Sequence, residues 1–209
     1  MCGIVGYTGN KSVVDILIDG LKQLEYRGYD SSGIAVKCGD DIKVYKAEGK
    51  LENLSNVLSG HVSEFTSATC GIGHIRWATH GAPTVLNAHP HTCTCGRLVI
   101  VHNGIIENYK ELREQLAKDG CTFRSQTDTE VVAHLVAKKY AQTKDLTEAV
   151  RFAAKDLEGA YALCVMHNDY KNTIVATKRN APLLVGVGEG EFYAASDVPA
   201  IIKHTNRAM

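Results

Sequence analysis

Apolar residues recur along this chain with two different periods. Between residues 12 and 26, Val13, Leu17, Leu21 and Leu24 return at spacings of three and four, which predicts a helix with one buried face. Helices are also predicted over 51–58, over 108–118 with Gly120 as its C-terminal cap, over 131–140, and over roughly 146–157. Thr127-Asp128-Thr129-Glu130 has the form of a capping box ahead of the third of these. Shorter apolar runs read as strands: 2–7, 33–38, 42–47, 72–77, 98–102, 160–167, 173–177, 184–187 and 192–196. Gly39-Asp40-Asp41 joins the second and third as a hairpin, 27–32 is a turn-rich loop, and 78–94 is long, irregular and rich in His and Pro. Residues 198–208 are expected to be helical.

Many short strands, with helices in groups, predict an α+β layered domain. No repeat, low-complexity tract or linker divides the 209 residues, so one domain is expected. Its last strands are followed by little, and its C-terminal edge reads as cut short. Lys+Arg and Asp+Glu balance at 23 each, which leaves no basic field for nucleic acid or an anionic membrane. No apolar run approaches a bilayer span, and the N-terminus has no signal-peptide pattern, so a cytoplasmic location is expected. Seven unevenly spaced cysteines argue against a disulfide framework, and most are expected to sit reduced in the core.

Cys2 stands apart because of its position. Removal of Met1, expected when residue 2 is small, would leave a thiol and a free α-amine on one residue. The amine, with a reference pKa of about 7.7–8.0, can take the proton of a thiol near 8.5. Met-Cys alone is better explained as a small buried residue opening a strand. Cys2-Gly3-Ile4-Val5-Gly6 shifts that balance, since glycines beside a nucleophile admit close approach. Further on, His74-Ile75-Arg76-Trp77-Ala78-Thr79-His80-Gly81 places Arg76 at a strand end, where a guanidinium can grip a carboxylate through two hydrogen bonds. Its plainer reading is a solvated charge beside a core Trp77. Asn103-Gly104 can aim a side-chain amide and a backbone N–H at one oxyanion, although Asn-Gly alone is more simply a hairpin turn. Asp128 can hold a substrate ammonium or merely support the helix start.

Together, Cys2-Gly-Ile-Val-Gly6, Leu24-Glu-Tyr-Arg-Gly-Tyr-Asp-Ser-Ser-Gly33, Arg76-Trp-Ala-Thr-His-Gly81, Asn87-Ala-His-Pro-His91, Val101-His-Asn-Gly-Ile-Ile-Glu-Asn108 and Thr127-Asp-Thr-Glu130 resemble the class II glutamine amidotransferases, the N-terminal-nucleophile glutaminases. The resemblance covers essentially the whole chain. It is strongest to the branch whose second half is a sugar-phosphate isomerase acting on fructose-6-phosphate.

The resemblance implies a four-layer α/β/β/α sandwich with two antiparallel sheets at its centre, and L-glutamine as the substrate. Cys2 would form a γ-glutamyl thioester, with Asn103 and the Gly104 N–H stabilising the oxyanion. Arg76 would bind the α-carboxylate and Asp128 the α-ammonium. Trp77, Thr79 and His80 would belong to a loop covering glutamine. Arg27 and Gly28 would flank Cys2 and help position its amine. No cofactor and no metal are implied. Residues 1–209 would form one glutaminase domain without its isomerase partner, releasing ammonia. The full-length protein is expected to be a homo-oligomer. The tail 204–209 matches the family poorly.

Three rival readings remain. An amidase or peptidase could use the same cysteine on another amide, but Arg76 with Asp128 suits a free α-amino acid. His89-Pro-His91-Thr-Cys93-Thr-Cys95 could be a zinc or redox module, but its spacing is not a common zinc pattern, and a strand would crowd all four side chains onto one side. A domain kept only for folding or dimerisation would not need the complete catalytic set.

Overall fold

Strands with apolar side chains on both faces need cover on both sides, and this chain provides it by stacking two antiparallel sheets between helices. The structure is a computed structural model that describes residues 2–78 and 81–209. One sheet has the order β3 (Asp41–Glu48), β2 (Ser31–Cys38), β4 (Cys70–Arg76), β1 (Gly3–Thr8), β10 (Phe192–Ala195), β9 (Leu184–Val187). The other has the order β5 (His91–Thr92), β6 (Leu98–Ile106), β7 (Gly159–His167), β8 (Val175–Arg179). Helices α1 (Val13–Lys22) and α2 (Leu51–Ser59) pack on the first sheet, and α4 (Asp128–Thr143) and α5 (Leu146–Asp156) on the second, with α3 (Tyr109–Lys118) against α4.

The two-residue alternation of the strands sorts side chains into three apolar layers. Val5 and Tyr7 join Leu17, Leu21 and Leu54 beneath the first helices. Ile4, Ile72, Val99, Val101, Ala162 and Cys164 meet between the sheets. Ile100, Leu163 and Val165 face Val132, Val136 and Ala149. This is the four-layer α+β arrangement expected from the sequence. Truncating a fully buried residue such as Leu17 to Ala would cost about 2–5 kcal/mol.

Several boundaries differ from expectation. The first helix stops at Lys22, and a 3-10 turn over Glu25–Arg27 carries the chain towards Cys2. Asn103-Gly104 is not a turn: β6 runs through it, pairing Asn103 with Ala162 and Gly104 with Tyr161. The expected helix over 198–208 is only a 3-10 turn, Val198–Ala200. The tail beyond it instead exchanges hydrogen bonds with β9, between Val185 and Met209 in both directions and from the Val187 N–H to the Arg207 carbonyl. An edge strand offers unpaired backbone groups, and the tail satisfies them. Among the described residues, no helix is long and apolar enough to cross a membrane.

Candidate active site

Cys2 lies just before β1, at the end of the sheet where β4 also finishes, since Gly3 pairs with Ile75. Its carbonyl accepts two side-chain donors, Arg27 Nε at 3.0 Å and Asn103 Nδ2 at 3.1 Å. Arg27 is held from behind by Asp197, whose Oδ2 lies 2.8 Å from Nη1. The thiol is half-buried, and the Trp77 N–H donates to Sγ at 3.3 Å. Burial pushes the thiol up, and the Trp77 N–H opposes that by favouring the thiolate.

Gly28 explains how the Trp77 N–H comes to be there. A Cβ on Gly28 would lie 2.5 Å from the Arg76 carbonyl oxygen and 3.0 Å from Trp77 N, so only glycine lets this loop lie against that peptide. Asp30 fixes the same segment, accepting from the Ala78 N–H through its carboxylate and donating its own N–H to the Arg76 carbonyl.

The Asn103 amide has its orientation set from both ends. Alternation points Asn103 between the sheets, and His74 of β4 meets it there, with Nε2 at 3.1 Å from Asn103 Oδ1 and 2.8 Å from the His102 carbonyl. A backbone carbonyl can only accept, so His74 Nε2 carries the proton. The Asn103 atom facing His74 is therefore the oxygen, which turns the NH2 group towards Cys2. Burial lowers His74 to about 3, so it stays neutral and keeps that single proton. Gly104 follows at φ 124°, where a Cβ would come within 2.0 Å of the Ala160 carbonyl oxygen.

Cys2, Arg76, Trp77, Gly104 and Asp128 line one narrow cleft, together with His89, His102, Thr127 and Thr129. Arg76 is 3% exposed and donates to the carbonyls of Gly81 and Ala82. Asp128 opens α4 and accepts the Ile106 N–H at 2.9 Å, which ties the end of β6 to the start of the helix. Thr127 caps the helix through the Glu130 N–H, as the capping box requires. Glu130 does not return to Thr127 but binds the N–H groups of Arg124 and Ser125.

Thr129 collects His89 Nε2 at 2.8 Å and His102 Nδ1 at 2.9 Å, and donates to Asp128 Oδ1 at 3.4 Å. A hydroxyl has one proton, so both imidazoles donate into it.

The His-x-His-x-Cys-x-Cys run therefore divides. His89 and His91 hydrogen-bond Thr129 and Thr127 at the head of α4, while Cys93 and Cys95 face each other in a turn. Only His91–Thr92 is strand, so the crowded one-sided row does not arise. Among the described residues, no group of three or more His, Cys, Asp or Glu side chains could hold a metal ion. A roomier groove over Lys11, Ile18 and Leu58 is lined by neither cysteine nor histidine.

Of the residues singled out in the sequence, Cys2, Arg27, Gly28, Arg76, Trp77, Asn103, Gly104 and Asp128 gather around this cleft. Trp77 is 50% exposed at its mouth, edge-on to Tyr29. Thr79 and His80 lie outside the described residues. His74, His102, Thr129, Asp30 and Asp197 had no assigned role. Only His74 left a usable signal, two residues before Arg76 and therefore on the same strand face.

The sequence profile of the family described as glutamine amidotransferase domain matches residues 43–209. The chain is 53% identical over 209 residues to the glutamine–fructose-6-phosphate aminotransferase (isomerizing) of Streptomyces coelicolor, covering all of this chain and 34% of that protein. It is 44% identical to the protein of the same name from Thermococcus kodakarensis, again over 34% of its length. The chain thus spans about a third of the length of these curated relatives. Among solved structures, it superposes with a TM-score of 0.81 on the glutamine phosphoribosylpyrophosphate amidotransferase from B. subtilis, at 27% identity, over 96% of this chain and 43% of that one.

Proposed function

The chain belongs to the glutamine amidotransferase domain family, and on that premise we propose that it hydrolyses L-glutamine to L-glutamate and ammonia with Cys2 as nucleophile. The observation that carries this reading is the Cys2 thiol, held by the Trp77 N–H at the wall of a cleft that also contains Arg76, Gly104 and Asp128. With Met1 removed, the Cys2 α-amine takes the thiol proton, and the Trp77 N–H supports the thiolate while it attacks the side-chain amide carbon. Asn103 Nδ2 and the Gly104 N–H stabilise the oxyanion. Collapse expels ammonia, which receives the proton held by the amine, and leaves a γ-glutamyl thioester. Water, deprotonated by the same amine, then releases glutamate and restores the thiol.

Arg76 binds the α-carboxylate. Its planar guanidinium, fixed at the cleft wall by the Gly81 and Ala82 carbonyls, has the geometry for a two-point grip on a carboxylate. Asp128 receives the α-ammonium, its carboxylate having acceptor capacity beyond the bonds it takes from the Ile106 N–H and the Thr129 hydroxyl. In the full-length protein, the ammonia would pass to an isomerase domain and convert fructose-6-phosphate to glucosamine-6-phosphate, in line with the relatives' name.

The test is glutamate release by wild type and Cys2→Ala, with intact mass recording the state of Met1. Activity should be lost in the variant and should follow the Met1-free species in wild type. Comparable glutamate release by Cys2→Ala would remove Cys2 as nucleophile. Full activity in protein that retains Met1 throughout would remove its amine as the base.

A further inference from the structure

Cys93 and Cys95 are not used by the chemistry above, yet among the described residues their two thiols lie within hydrogen-bonding distance of each other. Their sulfurs lie 2.7 Å apart, and both are free thiols. The turn that carries them is fixed: the Gly96 N–H returns to the Cys93 carbonyl, Gly96 takes φ 70°, and the Cys93 N–H reaches the Leu98 carbonyl. Closing a disulfide of about 2.05 Å therefore asks for a sulfur movement of less than an ångström. Exposure also differs in a useful way, since Cys95 is exposed and Cys93 buried behind it. A solvent-borne oxidant meets one sulfur, and the other is placed to resolve the product.

We propose that Cys93 and Cys95 form a reversible dithiol–disulfide couple, oxidised by low-molecular-weight disulfides and separate from Cys2. The Cys95 thiolate attacks a sulfur of oxidised glutathione, forming a mixed disulfide and releasing one glutathione thiolate. Cys93 then loses its proton and attacks the Cys95 sulfur, forming the intramolecular bond and expelling the second glutathione. The two protein thiols give up two electrons and two protons, and one oxidised glutathione becomes two reduced molecules.

The sequence makes the measurement clean. Cleavage after Arg76 and Arg97 yields a peptide, 77–97, that contains Cys93 and Cys95 and no other cysteine. Reduced full chain is incubated with oxidised glutathione, acid-quenched, alkylated in denaturant and digested. The expected product is peptide 77–97 lacking two hydrogens, unalkylated at both sites, and restored to the doubly alkylated form by dithiothreitol. Cys95→Ser should abolish that product and leave Cys93 alkylated. A stable glutathione adduct on Cys95 with Cys93 still alkylated would overturn the proposal. Double alkylation at oxidant levels that modify the half-buried Cys38 or Cys121 would overturn it as well. Neither readout depends on glutamine hydrolysis.

Discussion

Gly28→Ala adds one methyl group at a point where the structure says which atoms must move. The new Cβ would lie 2.5 Å from the Arg76 carbonyl oxygen, 2.7 Å from its carbonyl carbon and 3.0 Å from Trp77 N. These are backbone atoms, so no side-chain rotation relieves the clash. The 76–77 peptide must retreat by about half an ångström to reach even 3.0 Å. That peptide supplies the N–H that meets Cys2 Sγ at 3.3 Å, and its first residue is the proposed carboxylate ligand. Misplacing a reacting group by about 1 Å can cost about 10²-fold, so a loss of roughly 10- to 100-fold in kcat/KM is expected. Glutamate release across a glutamine titration measures it, with thermal unfolding as the check on folding. Gly60→Ala is the control, because its new methyl would meet only the Val57 carbonyl, at 3.7 Å. Unchanged kinetics in a folded Gly28→Ala protein would refute the claim that this packing positions the nucleophile.

Asn103→Ala should lower kcat by roughly 10²–10³ with little change in glutamine affinity, since its donor acts on the developing oxyanion; an affinity loss at constant turnover would contradict that role. Arg76→Lys and Asp128→Asn should do the opposite, raising KM far more than they lower kcat, because a point charge cannot reproduce a planar two-point grip and a neutral amide cannot pair an ammonium. Acid should destabilise the fold through its buried imidazoles. Burial holds His74 down at about 3, and His89 and His91 well below their usual 6.5. Below pH 6.5 the unfolded chain therefore binds protons that the folded chain refuses. Stability should fall as pH drops from about 6.5, by up to about 1.4 kcal/mol per pH unit for His74 alone, with the other two adding in the same direction. Denaturant midpoints at pH 7 and pH 5 measure this, and equal midpoints would contradict it.

The layered fold and the cleft's main residues were legible because they leave local marks. Helical spacing exposed α1, and the Cys2, Arg76 and Asp128 motifs sit at element ends, where loops bring side chains together. What was not legible depends on contacts made far along the chain. Nothing near Asn103-Gly104 in sequence says that β7 will pair alongside it and turn the expected hairpin into straight strand. Nothing near residue 198 says that the edge of β9 lies open to receive the tail. Asp197 reaches Arg27 across 170 residues, and His74 reaches Asn103 across 29. The sequence supplies the residue types for such pairs but not the pairing.

The pairing of β6 also explains why one glycine serves both the strand and the cleft. A strand that slips by one residue turns every side chain to the opposite face. In β6 such a slip would carry Asn103 away from His74 and Cys2 and place His102 or Gly104 between the sheets. Gly104 opposes this, because the site it occupies lies so close to the Ala160 carbonyl that a Cβ there would approach within 2.0 Å. Sliding Asn103 or Ile105 into that site would bring a Cβ into the same contact, at a backbone angle of φ 124° that side chains rarely adopt. The residue proposed to offer its N–H to the oxyanion thus also fixes the register that points its neighbour's amide towards Cys2. Both donors of the proposed oxyanion hole are set by one strand pairing, and Ile106, two residues on, anchors Asp128 across the same cleft.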